Sequence, residues 1–201
     1  MENIKVKPEI MHLMILERCD HHCRLCCNKH YDINKIPVAT VDELKAVHTV
    51  CITGGEPFLS WVNIDNLAVD IKLQYPNVNN IYIYTSGFAF AARHDQHFSY
   101  VDGINFAPKN SNDWGALEAF VNDASASEQI SNVARLESNR LYVFKEQEKA
   151  FLERHAHIAD KLNLNVIYRM WAEEFKTPDN EIFRRLPIFL GYASWKTTKT
   201  E

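Results

Sequence analysis

Four of the five cysteines in this 201-residue chain stand close together near its amino end. Cys19, Cys23 and Cys26 follow the spacing C-x-x-x-C-x-x-C, and Cys27 comes directly after them. Thiolates are soft ligands that select iron-sulfur clusters or zinc. Four cysteines would give every iron of a cluster a thiolate, whereas three leave one iron open to a ligand from outside the protein. The spacing therefore predicts a metal centre on Cys19, Cys23 and Cys26.

Two turns offer a second set of candidate contacts. Gly54, Gly55 and Glu56 end a β-branched run, and a glycine lets the backbone approach a ligand without an intervening side chain. Glu56 is suited to accept a charge-assisted hydrogen bond from an ammonium group, and the proline after it favours an extended backbone. Ser86 follows a later apolar run, where an ordinary turn at the end of a strand explains it equally well.

Alternating strand and helix patterns must position these turns. Short apolar runs predict six strands, at about 10–16, 49–53, 80–85, 101–107, 140–145 and 164–169. Between them lie amphipathic helical stripes, one of which starts with the capping-box spacing of Thr40 and Glu43; Asp113 is a candidate cap of a later helix. Alternation in units of about 30 residues indicates parallel βαβ connections, and hence an α/β protein.

Chain length limits the architecture. At about 150 residues per domain this chain predicts one domain, and a closed eight-stranded barrel needs about 250 residues. An open barrel and a doubly wound sheet both remain. We expect residues 1–170 to form the core and residues 171–201 to form a packed tail with a frayed end. In both folds the loops after the strands gather at the carboxyl edge of the sheet, where ligands bind.

Composition narrows the class of function. A formal net charge of −4 provides no basic field for a nucleic-acid backbone or an anionic membrane surface, which argues against both partners. No apolar run approaches the roughly 20 residues that span a bilayer, and the amino-terminal segment lacks the pattern of a secretory signal. Cysteines in a metal-binding spacing fit a reducing compartment, so we expect a cytoplasmic protein.

The cysteine run after the first predicted strand, together with Gly-Gly-Glu after the second, resembles the radical S-adenosylmethionine (radical SAM) superfamily. The resemblance implies an open partial (β/α)6 barrel with parallel strands, a [4Fe-4S] cluster, and S-adenosyl-L-methionine bound to the remaining iron. The turn around Ser86 is similar to the family's T-N-G-type turn. The implied cluster ligands are Cys19, Cys23 and Cys26, and the implied cofactor contacts are Gly54, Gly55, Glu56 and Ser86.

The activity that this resemblance implies is enzymatic. Reductive cleavage of S-adenosylmethionine gives a 5′-deoxyadenosyl radical, which abstracts hydrogen from an unidentified substrate; a reductant such as flavodoxin or ferredoxin would supply the electron. Short members of the superfamily include 7-carboxy-7-deazaguanine synthases and glycyl-radical activating enzymes. Leu25 departs from the family's usual aromatic residue, and Cys27-Asn28 departs from the Asp-Thr pair of the synthases. The sequence assigns no catalytic residue.

Two other functions fit the same cysteines. A zinc-stabilised binding module would close a tetrahedral site with Cys27 or a nearby histidine, although a second C-x-x-C knuckle is missing from the sequence. A non-catalytic scaffold with the radical SAM fold would carry out no turnover. Further candidates are the loop histidines His21, His22 and His30, and the polar residues near predicted strand ends, Asn105, Lys109 and Arg169; Cys51 is expected in the core.

Overall fold

Seven strands and seven α-helical segments make up the computed structural model, which describes residues 7–21, 23, 26, 32–60, 62–93, 96–170, 177–187 and 190. The strands are β1 (Ile10–Leu16), β2 (Thr49–Gly54), β3 (Asn80–Thr85), β4 (Gly103–Phe106), β5 (Arg140–Phe144), β6 (Asn165–Arg169) and β7 (Glu181–Arg185).

The helices lie between the strands. They are α1 (Val41–Ala46), α2 (Ile64–Gln74), α3 (Phe88–Ala91), α4 (Ser111–Asn122), α5 (Ser127–Ala134), α6 (Glu148–Ala150) and α7 (Ala156–Lys161). A π-helical turn, Phe151–His155, joins α6 to α7. None of the described helices combines the length and the apolar character that crossing a membrane requires.

All seven strands form one parallel sheet in the order β6-β5-β4-β3-β2-β1-β7. Over the described residues, β6 pairs on one side only, and the outer side of β7 carries a single bridge, between Arg185 and Val38, so the sheet is open. The predicted α/β class with parallel strands is confirmed. Each of the six predicted strands is present within a few residues of its expected bounds.

The seventh strand was not predicted. β7 lies within residues 171–201, where the sequence indicated a packed tail, and it pairs in parallel with β1 from Ile10 opposite Glu181 to Met14 opposite Arg185. All five residues of β7 are half-buried, and three of them are charged. An edge strand of this kind lacks the apolar run by which buried strands are recognised. The part of the chain called a tail therefore contributes to the sheet.

Helix capping decides where two of the predicted helices begin. The capping box at α1 is confirmed, because the Thr40 hydroxyl accepts from the Glu43 N–H and the Glu43 carboxylate accepts from the Thr40 N–H. The prediction that Asp113 caps a helix was wrong. Asn110 caps α4 instead, and Asp113 lies inside its first turn with its carboxylate available for other bonds.

The hydrophobic core lies on one face of the sheet. Alternate strand residues such as Val50, Ile52, Ile81 and Ile83 are fully buried there against the helices. The intervening residues face the other way, and several of them are polar or aromatic: His12, Cys51, Tyr82, Tyr84, Asn105, Arg140 and Tyr142. The sheet thus separates an apolar core from a face that is suited to polar contacts.

Candidate functional site at the carboxyl edge of the sheet

The cysteine loop (residues 17–31) and the Gly-Gly-Glu turn (residues 54–56) leave neighbouring strands at the same edge. Backbone hydrogen bonds continue the β1–β2 pairing beyond the strands, from the Gly55 N–H to the Leu16 carbonyl at 2.8 Å and from the Glu56 N–H to the Arg18 carbonyl at 2.9 Å. The turn therefore lies directly beside the segment that leads into Cys19. Side-chain hydrogen bonds from Thr85 and Ser86, at the end of β3, reach the Glu56 carboxylate in this turn.

The two glycines are required by this close backbone approach. A Cβ atom on Gly54 would lie 2.3 Å from the Leu16 carbonyl oxygen, and one on Gly55 would lie 1.9 Å from the Arg18 carbonyl oxygen. Gly54 also has a φ of 128°, which side chains with a Cβ rarely adopt. The glycines thus hold the turn against the cysteine loop, and their contact with a cofactor stays a prediction.

We expect Gly55→Ala to destabilise the protein by about 3 kcal/mol, because the backbone of the cysteine loop must move to admit the methyl group. Urea unfolding measures the change. Gly115→Ala is the matched control: Gly115 lies on the exposed side of α4, where an added Cβ would meet no atom within 4 Å, so alanine should add about 0.5–1 kcal/mol. Equal effects of the two substitutions would contradict the close approach.

Glu56 is the most enclosed acidic side chain of the Gly-Gly-Glu turn and the cysteine loop, with 2% of its surface exposed. One carboxylate oxygen, Oε1, accepts from the Thr85 hydroxyl at 2.8 Å and from the Phe58 N–H at 3.2 Å. The other, Oε2, accepts from the Ser86 N–H at 3.0 Å and from its hydroxyl at 3.2 Å. These four donors fill the acceptor positions of the carboxylate and tie the Gly-Gly-Glu turn to the end of β3.

The electrostatics of Glu56 follow from its burial. Desolvation raises its pKa to about 7, while the donors on Ser86, Thr85 and Phe58 lower it and the Asp20 charge raises it. Both protonation states are therefore accessible near neutral pH. A cation beside this carboxyl group would stabilise the ionised state. Ser86, predicted as a cofactor contact, is placed so that both of its donors hold Glu56.

The three predicted metal ligands lie close enough to influence one another. Cys19 is exposed, Cys23 and Cys26 are half-buried, and no described cysteine forms a disulfide. Desolvation raises the pKa of Cys19 to about 12, with further contributions from Asp20, Glu56 and Cys23. Desolvation and the Cys26 charge likewise raise the pKa of Cys23. Since thiolates are the ligands, binding of a metal centre would release protons.

The spacing of these thiols differs from that of a single-ion site. Within the described part of the chain, the one group of three possible ligands whose atoms all lie within 4.8 Å of one another is Cys19, Asp20 and His21. A tetrahedral zinc ion with sulfur at about 2.3 Å holds its thiolates about 3.8 Å apart. The three cysteine sulfurs do not form such a group, so at least one pair of them is more than 4.8 Å apart. A cluster binds each thiolate to a different iron and tolerates the wider spacing.

The sequence did not predict the contact between His21 and Asp113. His21, considered there as a metal ligand, donates from Nε2 to the fully buried carboxylate of Asp113. Asp113 was considered only as a helix cap. The one available signal was Asn110, which stands three residues earlier and is an equally good cap residue. The other loop candidates, Cys27, His22 and His30, and also Leu25 and Asn28, lie outside the described residues.

The remaining polar candidates lie near the same edge. Lys109 Nζ stands 4.3 Å from the centre of the Phe144 ring, and the Arg169 guanidinium stands 4.1 Å from the centre of the Tyr142 ring. These cation–π contacts place two positive charges at the ends of β4 and β6. Cys51 is 3% exposed in β2, which confirms its expected place in the interior.

Asn105 places a buried amide in the middle of β4. Its side chain is fully buried, and within the described residues neither amide atom has a hydrogen-bond partner. Unpaired buried groups cost about 1–3 kcal/mol each, and a native protein retains them for a reason. We expect Asn105→Val to raise the free energy of unfolding by about 1 kcal/mol in urea titrations. A loss of stability would contradict the unpaired state of the amide.

No model of a protein family matches this chain, and no curated protein matches it.

Proposed function

We propose that this chain is a radical SAM enzyme that reductively cleaves S-adenosylmethionine at a [4Fe-4S] cluster and uses the resulting radical to abstract hydrogen from a substrate. The observation that carries the proposal is the backbone pairing of the Gly-Gly-Glu turn with the start of the cysteine loop. Two motifs that are 28 residues apart, from Cys26 to Gly54, thereby lie side by side at the carboxyl edge of one open parallel sheet.

The strand order supports the finer fold assignment. β1 to β6 follow one another across the sheet without a reversal. A doubly wound sheet reverses its direction at a switch point, whereas successive neighbours are the order of a barrel. We therefore infer an open partial (β/α)6 barrel in which β7 extends the sheet beyond β1.

The donor set fits an iron-sulfur cluster. Cys19, Cys23 and Cys26 are thiols on one loop, each is exposed or half-buried, and their sulfurs are spread more widely than one zinc ion requires. These three residues would hold the cluster, and S-adenosylmethionine would occupy the iron that lacks a protein ligand. When bound, this pair supplies one-electron cleavage chemistry and a hydrogen-abstracting radical.

The chain's own residues prepare the place where the cofactor would bind. Gly54 and Gly55 fix the separation between the turn and the cysteine loop. Thr85 and Ser86 orient the Glu56 carboxyl group through three of its four hydrogen bonds. A cofactor ammonium near Glu56 would favour the ionised carboxylate through its charge, because four donors already occupy the carboxylate oxygens. Ser86 acts in this arrangement through Glu56.

The wider context of the enzyme is also part of the proposal. The substrate is a 7-deazaguanine-type heterocycle precursor or a protein glycine, as for the two groups of short members that the sequence resembles. A flavodoxin or ferredoxin donates the electron. The metal-binding spacing of Cys19, Cys23 and Cys26 supports a reducing, cytoplasmic location.

Anaerobic reconstitution with iron and sulfide, followed by dithionite and S-adenosylmethionine, tests the proposal. We expect about four irons per chain, a broad visible absorption band, and release of 5′-deoxyadenosine. Bound iron without 5′-deoxyadenosine would overturn the proposed activity in favour of a scaffold. Bound zinc without a visible band would overturn it in favour of a zinc-stabilised module.

A further inference from the structure

His21 connects the cysteine loop to two other parts of the site. Its Nε2 atom donates to Oδ1 of Asp113 in the first turn of α4. Its Nδ1 atom lies 2.6 Å from the Asp20 carboxylate, and its ring meets the edge of Phe88, the first residue of α3, at 5.9 Å between centroids. One side chain in the middle of the cysteine run thus touches both α3 and α4.

Asp113 is built to receive this contact. Its side chain is fully buried, and Oδ2 accepts from the Lys109 N–H at 2.7 Å. Because Asn110 caps the helix, the Asp113 carboxylate is not used for capping and its second oxygen points to His21. A buried carboxylate needs hydrogen-bond donors to remain in the folded protein. Among the described residues, His21 is the side chain that donates to Asp113.

The position of His21 in the sequence gives this contact a consequence for the site. His21 stands between Cys19 and Cys23 in the sequence. A change in the backbone position of His21 is expected to move Cys19 or Cys23 as well, because only one residue separates His21 from each. The helix α4 to which Asp113 belongs is packed into the core through Trp114, Leu117 and Phe120.

We infer that His21 and Asp113 form a positioning pair that holds the cysteine loop against α4, so that Cys19 and Cys23 are in place before any metal centre is bound. Neither residue acts as a ligand in this role. The inference extends the proposed function, and it rests on that function only where a reconstituted centre is measured. The contact between His21 and Asp113 is present in the metal-free protein and can be tested in that form.

The test is a double-mutant cycle read by the alkylation rate of each thiol in the metal-free protein, followed with iodoacetamide and mass spectrometry. His21→Phe keeps the ring beside Phe88 and removes both nitrogen donors, and Asp113→Ala removes the acceptor. We expect each variant to raise the rate at Cys23 by about tenfold. The double variant should also react about tenfold faster, not a hundredfold, because the two changes remove one shared contact.

Two internal comparisons separate loop release from other causes. The buried Cys51 thiol reports global unfolding, and its rate should stay unchanged. Charge alone predicts opposite effects, because loss of a nearby negative charge favours the reactive thiolate whereas loss of a nearby positive charge disfavours it. Faster reaction in both variants therefore indicates that the loop has moved.

A second histidine–carboxylate contact on α4 supplies the matched control. His155 Nδ1 lies 3.2 Å from the Glu118 carboxylate, five residues beyond Asp113 on α4, so His155→Phe and Glu118→Ala should leave the Cys23 rate at the wild-type value. Wild-type rates in His21→Phe, or a hundredfold rate in the double variant, would overturn the positioning pair. His21→Gln, which retains a donor, should restore most of the protection.

Reconstituted protein gives a separate readout. We expect His21→Phe to broaden the electron paramagnetic resonance signal of the reduced cluster, since the ligand loop is less constrained, while His155→Phe leaves it unchanged. If the wild-type chain assembles no cluster, the proposed function fails and the alkylation result still decides the positioning pair. If a cluster assembles and the alkylation cycle is additive, the pair fails and the proposed function stands.

Discussion

Cys23→Ala is expected to lose almost all bound iron and to release no detectable 5′-deoxyadenosine. This is the largest effect that we expect from a substitution at the site. Cys23 is the central thiol of the triad, and its pKa responds to Cys26 on one side, while the pKa of Cys19 responds to Cys23 on the other. Its removal would leave two protein ligands for the proposed cluster, which takes three. Iron analysis after anaerobic reconstitution and chromatographic detection of the nucleoside measure both losses.

Cys51→Ala provides the matched control. This substitution removes the same atom from a buried position in β2, outside the cysteine loop. We expect wild-type iron content and product release, together with a stability loss of about 1 kcal/mol from the small cavity. Retention of iron in Cys23→Ala, or an equal loss in Cys51→Ala, would contradict the assignment of the cysteine triad.

Glu56→Gln is expected to change the pH dependence of stability more than any other single substitution at the site. Burial raises the pKa of Glu56 from 4.5 to about 7, so the folded state holds a proton that the unfolded state releases between these values. The stability contributed by this group is fully present below about pH 4.5 and is lost as the pH rises through about 7. The difference between these two pKa values corresponds to a loss of about 3 kcal/mol in the free energy of unfolding.

Glutamine at this position carries no titrating proton. It places an amide N–H against one of the backbone donors of Phe58 or Ser86, which destabilises the variant by about 1–3 kcal/mol at low pH. As the pH rises, the wild-type protein loses this stability and the variant does not. The difference in unfolding free energy between the two proteins should therefore shrink up to about pH 7. A deficit that grows with pH would show that the four donors outweigh burial and would contradict the raised pKa.

Glu43→Gln gives the control for this experiment. The bond from Arg184 to the Glu43 carboxylate lowers the pKa of Glu43, with the Thr40 cap contributing in the same direction. The stability that this group contributes is present above about pH 4.5 and is lost only at lower pH. Urea titrations between about pH 5 and pH 8 should therefore show a constant deficit for Glu43→Gln beside the changing deficit for Glu56→Gln.

The sequence predicted the first six strands because each contains a short run rich in apolar and aromatic residues, such as the run from Ile10 to Leu16. β7 could not be found in this way, since its charged residues pair at an edge: Glu181 accepts from His12 at 2.8 Å, and Arg184 contacts Glu43. Those partners are distant in the sequence. Local periodicity carries no information about them.

The spacing of the cysteines and the order of the two motifs were fixed by the sequence alone, because metal ligation and tight turns depend on residue type at short separations. Only the tertiary structure decided that Thr85 and Ser86 supply three of the four hydrogen bonds to Glu56, and that Asp113 binds His21 instead of capping its helix. Each of these contacts joins residues about thirty to ninety positions apart, and its energy depends on burial that arises when the sheet and helices assemble.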